Sequence, residues 1–145
     1  MALGLVGVGV GALWTIDYFQ YQKSPEYRAR QEAERIKKEY TQDPYGGDTP
    51  EETLRLFIDA LKKGDTELAA RYFVMDKQNE WRQDLAKMKE KKVLEDMVRD
   101  LEKVKLTKKD EQKAFFTLVN ENNVAVSELI IRKDRISNKW KIEEL

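Results

Sequence analysis

Apolar residues recur at helical spacing through the middle of the chain and then give way to an alternating pattern near its end. The first stripe follows the i, i+3, i+4, i+7 spacing of a helix that buries one face. The Thr49 hydroxyl can accept a hydrogen bond from the Glu52 amide, and the Glu52 side chain can accept one from an amide before the helix. Pro50 suits the first helical position, where an amide hydrogen would be unused. We therefore predict an amphipathic helix from Pro50, whose apolar positions are Leu54, Phe57, Ile58 and Leu61.

The helical pattern continues beyond this stripe. Gly64 favours a left-handed stop and Asp65 an N-cap, which predicts a second helix carrying Leu68, Ala69, Tyr72 and Phe73. Two further stripes follow, and the later one is out of phase with the earlier one at 3.6 residues per turn. The phase change predicts a break near Lys91, between the stripe of Trp81, Leu85 and Met88 and that of Leu94, Met97, Val98 and Leu101.

From Val104 onward the apolar period is two, which is typical of strands. The last segment places Trp140 and Ile142 on one face and lysines on the other. Helices followed by an antiparallel meander predict an α+β fold with a curved sheet of about four strands. The predicted strand segments are Val104 to Leu106, Ala114 to Val119, Val124 to Ile131, and a final pair formed by Arg132 to Ile136 and Lys139 to Ile142.

Residues 1–16 carry no charged side chain, and aromatic residues gather at the end of this run. This pattern predicts a membrane anchor helix over residues 1–22, although 16 helical residues span only about 24 Å of a hydrocarbon core of about 30 Å. A cleaved signal peptide is the main alternative, but no basic region precedes the apolar run. The residues predicted to mark the anchor are Leu3, Gly7, Gly11, Trp14 and Tyr18.

A charged segment separates this run from the predicted domain. Ser24 and Pro25 start a helix that is polar nearly all round, and Pro44 with Gly46 and Gly47 marks a linker. We thus predict a stalk and linker over residues 23–48 and a domain over residues 49–145. Basic residues after the anchor favour a cytoplasmic domain, whereas long domains cross membranes largely regardless of flanking charge. We expect a single-pass protein of the cell membrane with the domain outside the cytoplasm.

Composition narrows the chemistry. The chain has 27 basic and 27 acidic residues, so no net field attracts nucleic acid. It contains neither cysteine nor histidine, which removes disulfides, thiolate catalysis and the commonest general base and metal ligand. The sequence predicts no metal site, no cofactor and no nucleic-acid partner.

The helix pair from Thr49 to Phe73 resembles the opening of NTF2-like domains, also called cystatin-like or SnoaL-like. The resemblance implies helices packed on a curved antiparallel sheet that forms a cone, and the ending from Lys139 to Ile142 resembles the last strand of such domains. Members of the superfamily include enzymes, transport factors and assembly proteins, so the fold does not select a function. The matching positions are Thr49, Pro50, Glu51, Phe57, Ala60, Leu61, Gly64, Asp65, Ala69, Tyr72 and Phe73.

Three function classes follow from this resemblance. An isomerase-like enzyme would need a carboxylate in apolar surroundings and an aromatic donor, for which the candidates are Tyr72, Asp76, Trp81 and Glu128. A module binding a small apolar ligand, lipid or peptide would line the cone with residues drawn from Tyr72, Phe73, Trp81, Phe116 and Glu128. The third class is a non-catalytic, membrane-anchored assembly subunit that binds a protein partner or a second copy. Its layout resembles that of VirB8-like scaffold proteins, and we expect this class, with no catalytic residues.

Overall fold

The computed structural model describes residues 19–145, so the predicted anchor positions Leu3, Gly7, Gly11, Trp14 and Tyr18 lie outside the described residues. The chain divides into two compact units, one reaching to Thr41 and the other formed by Gln42–Leu145. In the first unit, the Ser24 hydroxyl accepts from the Tyr27 amide and caps helix α1, Pro25–Gln42, as predicted. No residue of α1 is buried, in agreement with its polar pattern.

The second unit contains four more α-helices and a 3₁₀ turn. The Thr49 hydroxyl accepts from the Glu52 amide at 3.1 Å, while the Glu52 carboxylate accepts from the Asp48 amide. Asp65 caps the following helix through the Leu68 amide at 3.0 Å, and Gly64 has a φ of 68°. The predicted caps are therefore confirmed. The helices are α2 (Pro50–Lys62), α3 (Thr66–Ala70), α4 (Gln78–Glu90) and α5 (Leu94–Leu101), with the 3₁₀ turn at Met75–Lys77.

The predicted helix break is confirmed. α4 ends at Glu90, Lys92 adopts a φ of 59°, and α5 begins at Leu94. This turn lets both apolar stripes face the core although they are out of phase, and Leu85 and Leu101 are buried.

Four strands form one antiparallel sheet in the order β1-β2-β3-β4. Phe116 lies opposite Leu129, and Ile131 lies opposite Ile142, on the face that packs against the helices. Val124 to Ile131 and Arg132 to Ile136 do not form separate strands, because β3 runs through both segments and turns after Lys133. The strands are β1 (Lys105–Lys109), β2 (Lys113–Val119), β3 (Ala125–Lys133) and β4 (Trp140–Glu144).

The core lies between the helices and one face of the sheet. Phe57 and Phe73 are fully buried and meet edge to face with ring centroids 5.4 Å apart. Burial of each such ring contributes about 1.5–3 kcal/mol. Further fully or almost fully buried residues are Ala69, Leu85, Ala114, Leu129, Ile131 and Ile142.

The edge of β4 is covered by two segments that the sequence did not assign to the sheet. The Val74 amide donates to the Ile142 carbonyl at 2.9 Å, and the Ile142 amide donates to the Tyr72 carbonyl at 2.8 Å. α3 ends at Ala70, so the predicted helical placement of Tyr72 and Phe73 is wrong. Pairing with β4 gives backbone amide and carbonyl groups of this segment hydrogen-bond partners. The segment is therefore extended, although the local sequence pattern favours a helix.

The second covering segment is the linker. The Trp140 amide donates to the Gly47 carbonyl at 3.0 Å, and the Thr53 hydroxyl donates to the Trp140 carbonyl at 2.9 Å. The predicted domain start at Thr49 therefore moves to Gln42, because the linker is packed onto the domain.

Candidate functional site

Of the residues predicted to bind a ligand, Tyr72, Phe73, Trp81 and Phe116 belong to or pack against one core, whereas Glu128 lies apart from them. Tyr72 and Phe116 are buried in the core, and Trp81 is half-buried with its ring stacked on Phe73 at 4.5 Å. Glu128 is exposed and lies opposite Thr117, whereas Phe116 lies opposite Leu129. Because adjacent residues of a strand point to opposite faces, Glu128 is on the other side of the sheet from Phe116.

The isomerase-like arrangement is also not assembled. Asp76 and Glu128 are both exposed, so neither carboxylate lies in the apolar surroundings that such an acid or base needs. Tyr72 is buried, and this burial raises the pKa of its phenol. Its ring meets Tyr45 edge to face at 6.3 Å, and the Arg71 guanidinium lies 5.1 Å from the centre of the Tyr45 ring.

A mostly apolar cavity of about 250 Å³ lies between α5 and the inner face of β2 and β3. Met97 and Leu101 supply its helical wall, and Leu118 and Leu129 supply its floor. Asp100 and Ser127 are the polar residues of this lining, which also includes Val104 and Leu145. The stripe of α5 was visible in the sequence, but its partners on the sheet were not.

The outer face of the sheet carries exposed apolar side chains. Val124 and Val126 are 55% and 56% exposed, and Phe115 lies opposite Ile130, both half-buried. Glu128 belongs to this face. Basic residues surround these apolar side chains and form the rim of the face. The strand register places Lys105 opposite Thr117, Lys108 opposite Phe115 and Arg132 opposite Lys113.

A buried ion pair joins the linker to the last strand. The Lys141 Nζ lies 2.5 Å from the Asp43 carboxylate and donates to the Arg71 carbonyl at 3.1 Å. The Lys141 and Asp43 side chains are only 3% and 9% exposed, although the sequence pattern placed this lysine on the face opposite to Trp140 and Ile142. Desolvation lowers the pKa of Lys141, and the hydrogen bond with Asp43 opposes that shift.

The described residues, 19–145, contain no cluster of three or more histidine, cysteine, aspartate or glutamate side chains that could hold a metal ion. Within the same range, no helix combines the length and apolar character required to cross a membrane.

Comparisons of this chain with protein-family models, with curated proteins and with solved structures return no match.

Proposed function

We propose that the protein is a non-catalytic interaction module that binds a protein partner through the outer face of its sheet. The observation that carries this proposal is apolar side chains on the face opposite to the helices: Val126 is 56% exposed, and the half-buried pair of Phe115 and Ile130 lies beyond the pair of Thr117 and Glu128. Exposed apolar side chains bordered by polar residues are a mark of interaction sites.

The rim charges define the partner's chemistry. Lys105, Lys108 and Arg132 outnumber Glu128 on this face, so a complementary surface would be apolar with acidic side chains around it. The Lys108 ammonium lies 5.7 Å from the centre of the Phe115 ring, which places a cation next to the apolar patch.

The size of the face limits the strength of binding. Four strands at about 4.8 Å spacing and about seven residues in length give an outer face of roughly 400 Å². A standard interface buries about 800 Å² on each partner. The face alone thus supports a weak contact.

The proposal includes the finer fold and the location expected from the sequence. Helices packed on an antiparallel sheet support an NTF2-like domain, and the uncharged run over residues 1–16 supports a single membrane anchor. Protease treatment of intact cells that carry a C-terminal tag tests sidedness. Digestion of a membrane-bound tag fits the extracytoplasmic expectation, and a protected tag contradicts it.

A photo-crosslinking residue at position 126 tests the interaction face. A matched probe at Val93, which is 38% exposed in the turn between α4 and α5, serves as the control. We expect a discrete adduct from position 126 alone, and a weaker one in the K105E/K108E variant. Identical adducts from both positions, or none from position 126, would overturn the proposal.

The cavity beside α5 favours a second candidate function. Its volume of about 250 Å³ and mostly apolar walls suit a small ligand with one polar group facing Asp100 or Ser127. Native mass spectrometry of the purified chain, compared with a Leu118→Trp variant that fills the cavity, tests this candidate. A bound small molecule in the parent and not in the variant supports it, whereas equal spectra contradict it.

A further inference from the structure

A second and more polar groove lies where the turn after β1 meets the turn after β3. Its volume is about 480 Å³, and its lining holds four basic side chains and one acidic side chain. The chain as a whole has no net charge, so this groove is a local excess of positive charge. The lining residues are Gln112, Lys113, Arg132, Lys133, Asp134, Arg135 and Ile136.

The strand register concentrates this charge. Lys113 lies directly opposite Arg132, and like charges in that relation destabilise a sheet. Glu143 relieves part of the repulsion, because one of its carboxylate oxygens lies 3.2 Å from the Lys113 Nζ. Within residues 19–145, no carboxylate forms an ion pair with Arg132, Lys133 or Arg135.

The acidic residue in the groove is already engaged. The Asp134 carboxylate accepts from the Ile136 amide at 3.2 Å and from the Ser137 amide and hydroxyl at 3.2 and 2.6 Å. These bonds hold the turn between β3 and β4. The Lys133 amide donates to the Gln112 carbonyl at 2.8 Å, which ties the two turns together and holds the groove walls in place.

The surroundings favour a compact anion over an extended one. A neighbouring cavity shares Gln112 and Lys133 with the groove, and its other lining residues are three acidic residues, one lysine and a tryptophan: Asp48, Asp110, Glu111, Lys109 and Trp140. A nucleic-acid strand that continued past Lys133 would meet these carboxylates. Ile136 lines the groove and is 47% exposed, so an apolar group attached to the anion would have a surface to contact.

We propose that this groove binds a phosphate group, with Arg132 and Arg135 as the principal donors and Lys133 as a third cation. Guanidinium groups match phosphate oxygens in geometry and form charge-assisted hydrogen bonds. The phosphate belongs either to a soluble phosphate ester or to the headgroup of a lipid. Arg132 lies at the end of the interaction face away from Val126, because the two residues are six apart along β3, about 20 Å.

Titration of the full chain, isotope-labelled and held in zwitterionic micelles, tests the proposal by amide NMR. Glycerol phosphate is added in one arm and phosphatidylglycerol in the other, at constant ionic strength. The R132Q/R135Q variant is compared with K105Q/K108Q, which removes the same charge from the exposed strand β1. Because each arginine contributes a charge-assisted bond, we expect R132Q/R135Q to weaken binding at least tenfold, and K105Q/K108Q to change it less than twofold.

Saturating shifts of the Arg132, Lys133, Arg135 and Ile136 amides in either arm support the proposal. A response to glycerol phosphate identifies a soluble ester as sufficient, and a response to phosphatidylglycerol alone identifies a headgroup. Absence of shifts in both arms overturns the proposal. Equal loss of binding in both double variants also overturns it, because that result indicates only a general effect of charge.

Discussion

The buried pair of Asp43 and Lys141 gives the sharpest prediction of stability. Asp43→Ala leaves the Lys141 ammonium without its carboxylate, and Lys141→Met leaves the Asp43 carboxylate without its ammonium. Asp43→Ala/Lys141→Met removes both charges. These three variants and the parent chain form a double-mutant cycle.

The magnitude follows from burial. With side-chain exposures of 3% and 9%, neither charge can recover hydration when its partner is removed, and breaking such a pair costs about 3–5 kcal/mol. This cost is a large part of the total stability of a domain, about 5–15 kcal/mol. We expect each single variant to lose about that much. The double variant should be clearly more stable than Lys141→Met, because no buried charge remains.

Urea unfolding followed by tryptophan fluorescence measures these free energies. Asp48→Ala is the matched control, since Asp48 pairs with Lys139 at 2.8 Å but its side chain is 80% exposed. We expect no measurable change in that control. A loss below about 1 kcal/mol for both single variants, as found for exposed ion pairs, would refute the reasoning.

Four further predictions concern single residues. Burial raises the pKa of Tyr72, so the folded chain keeps a phenol proton that the unfolded chain loses above about pH 10. The folded state therefore loses stability as the pH rises beyond that value. A phenolate absorbance titration of the parent chain and of Tyr72→Phe measures the raised pKa. Gly47→Ala would place a Cβ 2.8 Å from the Thr53 backbone nitrogen and should cost about 1–3 kcal/mol in urea unfolding. Gly64→Ala, where the nearest atom is 3.4 Å away at the end of the Lys89 side chain, should lose only the cost of a left-handed φ, about 1–2 kcal/mol. Lys92→Gly should raise the thermal midpoint, because Lys92 is exposed at a φ of 59° and glycine removes that strain; an unchanged or lower midpoint would contradict this.

Local features of the chain were predictable because their causes are local. A capping side chain such as Thr49 or Asp65 acts on an amide three residues away, and the phase change near Lys91 is visible in the residues themselves. The α+β class also follows from the switch between two apolar periods. These inferences need no knowledge of distant contacts.

Tertiary structure decided which surfaces are buried. β3 carries apolar residues on both faces, so its pattern could not tell whether Val126 or Leu129 faces the helices. Pairing of Phe116 with Leu129 places that face in the core and leaves Val126 and Glu128 outside. The predicted ligand set therefore lies on both sides of the sheet.

The same reason applies to the residues that were misplaced. From the sequence alone, a lysine such as Lys141 is expected to be exposed. Its burial depends on the paired carboxylate of Asp43, which lies 98 residues earlier in the chain. The sequence pattern predicts a helix through Tyr72 and Phe73. The extended backbone of this segment is favoured by its hydrogen bonds to the edge of β4. The sequence alone determined the helix caps, the helix break near Lys91 and the α+β class. Long-range pairing decided the burial of each face, the apolar cavity and the basic groove, because each depends on contacts between residues far apart in the chain.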